Sequence, residues 1–250
     1  MCRYKKMSLK TINISKYLDS TFLKTSAELK ISDEELKEKI TLFINEAIDC
    51  NFKCVMLRPN FVSLACSLKN ETNSNINVGT VIDFPFGNSN LENKLEEAKL
   101  ALLNGANELD FVCDYNLFKM GEYDTFDKSI LECTQLTLKN KAIVKWIIET
   151  GALSKNEIKL IAKRIFDIVI RNFRNEVSAV FVKTSTGYYG GFGATIKDVK
   201  SIKSVISDMP VKASGGVSDL TSCLNMIEAG ADRIGTSKAF IIYNEWKKEN

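Results

Sequence analysis

The stretch Ala179-Val-Phe-Val-Lys183, running into Thr184-Ser-Thr-Gly187, carries most of what the sequence discloses about its architecture. An apolar, β-branched run ends on a lysine and then breaks into small polar residues and a glycine. That is the signature of a short buried strand entering a loop. Seven further runs of this kind punctuate the 250 residues: Tyr17–Leu18, Phe52–Leu57, Asn77–Ile82, Glu108–Cys113, Ala142–Ile148, Val211–Ala213 and Arg233–Ile234. Helical periodicity fills the intervals. Ser32 with Glu35, and Ser154 with Glu157, form capping-box patterns ahead of amphipathic stretches to about Asp49 and Arg171. Further helices are expected over Asn90–Leu103, Asp124–Lys139, Ile196–Ser207 and Asp219–Ala229, with weaker patterns at Asn60–Leu68 and Ser237–Trp246.

Eight strand–helix units in this length have the size and pattern of an α/β fold, a single (β/α)8 TIM barrel. Alternation by itself is shared with an open doubly wound sheet. No Pro/Gly/Ser-rich linker divides the chain. Residues 1–15 read as an N-terminal extension or leading helix, with Met7 as a second candidate start, and residues 16–250 as the barrel domain.

Composition removes several classes of function. With 34 basic and 31 acidic residues the net charge is only +3, which gives no electrostatic footprint for nucleic acid. No apolar run approaches the ~18 residues of a membrane span, so no membrane partner is expected. Cys2, Cys50, Cys54, Cys66, Cys113, Cys133 and Cys223 are odd in number and contain no C-x-x-C pair, which fits reduced thiols and a cytoplasmic location. The chain has no histidine. Triads built on imidazole and H-E-x-x-H zinc sites are therefore excluded, and with no paired cysteines no metal site is expected. No G-x-G-x-x-G or P-loop occurs, so no nucleotide cofactor is expected. Acid–base work falls to Lys, Asp, Glu, Tyr, Cys or water.

Barrel enzymes build their sites at the C-terminal ends of the strands. Asp19 follows Tyr17-Leu18, Asp110 lies in Glu108-Leu-Asp-Phe-Val112, and Lys145 and Glu149 lie in Lys145-Trp-Ile-Ile-Glu149. Lys183 closes its strand, and Lys212 lies in Val211-Lys-Ala-Ser-Gly-Gly216. One strand-end lysine is ordinarily a solvated tip or an ion-pair partner. Lys183 differs because it follows apolar residues, and burying an ammonium is costly. Lys212, about one βαβ unit further on, falls on a neighbouring strand. Two ammonium groups ~5 Å apart at an effective dielectric of ~20 repel by about 3 kcal/mol, or roughly two pKa units. A lysine brought from ~10.4 to about 7 gains roughly a thousandfold in free amine at neutral pH, as a Schiff-base nucleophile requires. Asp110, about two units back, is placed to move protons through water. Gly215-Gly216 and Gly235-Thr-Ser237 follow the last two strands, where barrels commonly hold phosphate on backbone N–H groups, and Gly187 opens a glycine-rich loop after Lys183.

With these residues in hand, the sequence resembles the deoxyribose-phosphate aldolase family from about Tyr17 to Phe240. The strongest pieces are Phe181-Val-Lys-Thr-Ser-Thr-Gly-Tyr188 and Val211-Lys-Ala-Ser-Gly-Gly-Val217. Gly105-Ala-Asn-Glu-Leu-Asp-Phe-Val112, Ile147-Ile-Glu-Thr-Gly151 and Arg233-Ile-Gly-Thr-Ser237 support them. Asp83-Phe-Pro-Phe-Gly-Asn88 and Leu18-Asp-Ser-Thr-Phe-Leu-Lys24 are weaker matches. The resemblance implies a barrel that reversibly cleaves 2-deoxy-D-ribose 5-phosphate to glyceraldehyde 3-phosphate and acetaldehyde, part of nucleoside catabolism, without a cofactor. It implies that Lys183 forms the Schiff base, that Lys212 perturbs it and moves protons, and that Asp110 works with water. Gly187, Gly215, Gly216, Thr236 and Ser237 would hold phosphate, and Asp19 and Lys145 would support the site. Ser20, Asp83, Trp146 and Arg58 depart from the family pattern and bear on substrate range and rate. Small-molecule phosphosugars and aldehydes are the expected partners, with a homodimer left open. Two rival readings stand beside it: another phosphosugar Schiff-base lyase or a transaldolase, and a non-catalytic phosphosugar-binding barrel.

Overall fold

A computed structural model describes residues 12–249. Residues 1–11, with Met7, Cys2 and most of the expected leading segment, lie outside the described residues. The end of that segment is a short 3-10 turn, Ile14–Lys16, whose Ile14 is fully buried in the core.

Eight parallel strands close into one barrel in sequence order. They are β1 (Leu18–Phe22), β2 (Cys54–Leu57), β3 (Asn77–Ile82), β4 (Glu108–Val112), β5 (Ile143–Ile147), β6 (Val180–Lys183), β7 (Val211–Ser214) and β8 (Arg233–Thr236). Each is covered by helices outside and side chains inside, which explains why they read as nearly continuous apolar runs. Register decides which residues share the interior. Asp110 lies opposite Lys145, Lys183 opposite Lys212, and Lys212 opposite Arg233. Strand side chains alternate between faces, so in-register neighbours point the same way.

The helices are α1 (Ser26–Leu29), α2 (Asp33–Asp49), α3 (Val62–Glu71), α4 (Leu91–Leu103), α5 (Tyr115–Met120), α6 (Tyr123–Lys139), α7 (Lys155–Asn172), α8 (Ile196–Lys203), α9 (Leu220–Glu228) and α10 (Ala239–Glu249). Ser32 and Ser154 cap α2 and α7 through complete capping boxes. In α7, Ile158, Ile161, Ala162, Ile165, Ile168 and Val169 recur at helical spacing and are all buried against the barrel. Each fully buried isoleucine stabilises the fold by about 1.5–3 kcal/mol. Inside the same core Phe111 stacks on Trp146 at 4.9 Å, and the Trp146 indole N–H donates to Thr134.

The structure revises several boundaries. β1 extends to Phe22, so Asp19 lies within the strand. α8 stops at Lys203, four residues before the expected end. The short helices α1 and α5 went unforeseen, each only four to six residues long and held mainly by its caps, Thr25 with Glu28 in one and Asp114 in the other. Among the described residues no helix is long and apolar enough to cross a membrane.

Candidate active site

The barrel interior holds seven acidic and basic side chains that are essentially sealed from solvent: Asp19, Glu108, Asp110, Lys145, Lys183, Lys212 and Arg233. Asp110 is their hub. Its Oδ1 accepts from Lys145 at 2.8 Å, and its Oδ2 accepts from both Lys183 and Lys212 at 2.8 Å. Asp19 lies 2.7 Å from Lys212 Nζ and accepts from Arg233 Nε at 2.6 Å. Glu108 pairs with Lys145 and accepts from Arg233 at 3.0 and 3.1 Å. Three carboxylates thus face four basic groups. In a low-dielectric interior an unbalanced charge is expensive, and loss of one proton from one base leaves the cluster neutral.

The fields within the cluster select Lys183 for that loss. Burial pushes its amine down, Asp110 pulls it back up, and Lys212 and Lys145 push it down again, for a net value of about 8. Lys145 behaves oppositely: burial is outweighed by Asp110, Glu108 and Asp19, which hold its ammonium well above the ordinary lysine range. Burial would raise Asp110, but the lysines around it keep it well below the usual carboxylate range. The value for Lys183 is higher than the sequence expectation of about 7. The reason is its direct hydrogen bond to Asp110, which the strand pattern did not reveal. Even so, a drop from 10.5 to about 8 gives roughly 300-fold more free amine at pH 7.

Of the expected site residues, Asp19, Asp110, Lys145, Lys183 and Lys212 form this one network. Asp19, Asp110, Lys145 and Lys212 lie inside their strands, not at the ends, so they fill the barrel where apolar layers usually pack. Lys183 alone closes its strand.

Past β6 and β7 the backbone turns on glycine. Gly187, Gly215 and Gly216 have φ of 82°, 86° and 76°, and successive N–H groups in such turns form anion-binding concavities. The two loops touch: a Cβ on Gly193 would lie 2.5 Å from the Gly215 carbonyl, a contact only glycine permits. Thr236 ends β8 with its hydroxyl engaged, donating to the Val217 carbonyl at 2.6 Å and accepting from Lys238 N–H at 2.9 Å. Its side chain ties the end of β8 to the loop after β7. Ser237 is exposed just beyond.

Glu108 and Arg233 were not among the expected site residues, and Glu149 was noted at a strand end without a role. Glu108 carried a signal, since it is two residues from Asp110 and alternation turns both inward. Arg233 reaches Asp19 across 214 positions, a pairing invisible in the sequence. Asp19, Cys54 and Glu108 bring three metal-ligating atoms within 4.8 Å of one another. Lys145 and Arg233 already neutralise both carboxylates there, and burial with the nearby carboxylates holds the Cys54 thiol well above its ordinary range. The chain supplies its own cations to this donor set.

Known proteins resemble this chain over nearly its whole length. The model of the DeoC/LacD family aldolases matches residues 17–243. A deoxyribose-phosphate aldolase of Caldanaerobacter subterraneus is 39% identical over 240 residues, covering 95% of both chains. One from Thermococcus gammatolerans is 39% identical, covering 90% of this chain and 93% of that one. Among solved structures, the aldolase QR15 superposes with a TM-score of 0.82 at 34% identity, covering 96% of this chain and 98% of its own. A tetrameric deoxyribose phosphate aldolase from Aeropyrum pernix superposes with a TM-score of 0.78 at 29% identity, covering 95% of this chain and 92% of its own. With the family model spanning nearly the whole barrel, the chain belongs to the DeoC/LacD family of aldolases.

Proposed function

We propose that the chain reversibly cleaves 2-deoxy-D-ribose 5-phosphate to D-glyceraldehyde 3-phosphate and acetaldehyde through a Schiff base on Lys183. The observation that carries the reading is the Lys183 amine, buried at 3% exposure, sharing Asp110 with Lys212 in a cluster that is neutral when this amine is neutral.

In the proposed sequence the free amine adds to the substrate aldehyde, and water leaves to give a protonated imine. The imine draws electrons from the C2–C3 bond, whose cleavage releases glyceraldehyde 3-phosphate and leaves an enamine. Protonation of the enamine and hydrolysis release acetaldehyde. Lys212 and Asp110 exchange the protons, Asp110 accepting from both amines through one oxygen. Asp19 and Lys145 fix Asp110 and Lys212 in place. Gly187, Gly215 and Gly216, with Thr236 and Ser237 at the adjacent strand end, receive the phosphate on backbone N–H groups.

The same reading takes residues 16–250 as one barrel domain preceded by a leading segment, works without metal or cofactor, and places the chain in cytoplasmic nucleoside catabolism. A homodimer belongs to it as well.

Reduction with borohydride in the presence of deoxyribose 5-phosphate or acetaldehyde tests the reading. The expected outcome is a covalent adduct on Lys183 that vanishes in Lys183→Ala. Full labelling of that variant would refute the assignment. Substrate profiling separates the rivals: a transaldolase would not use acetaldehyde as donor, and a mere binder would give no adduct.

A further inference from the structure

Glu149, one residue past Ile148 and beside Lys183, has no part in the chemistry above. Ile148 N–H donates to the Lys183 carbonyl and Thr150 N–H to the Thr184 carbonyl, at 3.0 and 2.8 Å. The β5 side thus advances two residues while the β6 side advances one, and the extra residue is Glu149. Such a bulge re-aims a side chain. The backbone there is left-handed at φ 55°, a conformation that costs a non-glycine residue roughly 1–3 kcal/mol and persists where surroundings impose it.

The side chain is 1% exposed. Its Oε2 accepts from both the N–H and the hydroxyl of Thr186, and the Thr186 hydroxyl in turn accepts from Tyr188 N–H at 3.0 Å. Its Oε1 is also buried, yet finds no hydrogen-bond partner among the described residues. A carboxylate oxygen withdrawn from water and left without a donor carries a desolvation penalty unless a donor arrives. Thr186 stands between Lys183 and Gly187, that is, between the proposed imine and the proposed phosphate cradle. A deoxyribose phosphate joined at C1 to the first and held at its phosphate by the second passes its middle carbons over this place.

We infer that Glu149 Oε1 accepts a hydrogen bond from the C4 hydroxyl of the substrate, making this carboxylate the specificity element for a hydroxyl next to the carbonyl of the aldehyde product. This rests on the aldolase reading of the site. The C3 oxygen is the reacting one and has Lys212 and Asp110 to serve it, which leaves the C4 hydroxyl as the donor Glu149 can take.

The test runs in the synthetic direction. Acetaldehyde is condensed with D-glyceraldehyde 3-phosphate, or with 3-oxopropyl phosphate, which lacks the hydroxyl. Wild type should prefer the first. Glu149→Gln, which keeps shape and the Thr186 bonds, should lower kcat/KM for glyceraldehyde 3-phosphate about tenfold more than for 3-oxopropyl phosphate, the scale of a charge-assisted hydrogen bond. Glu149→Met should collapse the preference in the same way, and adduct formation with acetaldehyde and borohydride verifies that each variant's site is assembled. Equal losses on both acceptors would mean that Glu149 only positions the Thr186 loop, and would overturn the inference alone. Absence of any adduct in wild type would overturn the aldolase reading, and this inference with it.

Discussion

Replacing Lys212 by Met should return Lys183 toward an ordinary lysine. Both amines lie 2.8 Å from the same oxygen of Asp110, so their nitrogens are within two hydrogen-bond lengths of each other. At ~5 Å and an effective dielectric of ~20 their repulsion is about 3 kcal/mol, roughly two pKa units. Removing it raises Lys183 from about 8 to about 10 and cuts free amine at pH 7 about a hundredfold. Charge counting leads to the same conclusion. With Lys212 gone, three carboxylates face Lys145, Arg233 and Lys183, and the cluster is neutral only when Lys183 keeps its proton. The assay is the pH dependence of borohydride trapping with acetaldehyde. The wild-type acid limb should fall near pH 8, and the Lys212→Met limb about two units higher. The position of the limb separates loss of repulsion from loss of a proton carrier, which lowers the plateau without moving the limb. A variant limb that stays at pH 8 would refute the reasoning.

Further outcomes follow from the same cluster and its loops. Arg233→Met strips the guanidinium from Asp19 and Glu108, leaving them to Lys212 and Lys145, and breaking these buried pairs should cost about 3–5 kcal/mol in chemical denaturation; a loss under about 1 kcal/mol would contradict the burial argument. Gly193→Ala drives a methyl into the Gly215 backbone 2.5 Å away, so KM for the phosphorylated substrate should rise at least about tenfold while the rate with unphosphorylated deoxyribose changes little, overpacking being local. Stability should also rise with pH between about 8 and 10. The folded value of Lys183 lies below its unfolded value, so the unfolded chain binds more protons in that window, worth up to about 3 kcal/mol. Urea unfolding at several pH values should lose this slope in Lys183→Met.

Legibility in the sequence divides by distance along the chain. Lys183, Lys212 and Asp110 were readable because each sits in a strand whose apolar run marks it as buried, and charge in such a run asks for an explanation. Their company was less readable. Glu108 follows from alternation once β4 is accepted, but Arg233 belongs to the site only because eight strands close and bring it to Asp19. Placing Asp19 at a strand end missed the extent of β1, since the polar stretch Asp19-Ser-Thr21 hides a strand whose Asp19 is paired with the distant Arg233 and Lys212. Glu149 was visible as a residue and not as a site, because nothing local foretells a bulge or a left-handed glutamate. α8 ended early where backbone turns take over after Ser204, a boundary set by packing that periodicity does not register.

The central claim is that Lys183 gives up its proton far more readily than a lysine in water. Nuclear magnetic resonance of lysine-labelled protein, with the signal assigned by its loss in Lys183→Arg, measures this directly. A midpoint near pH 8 is the expected result, and a midpoint at the ordinary lysine value near 10.4 would contradict it.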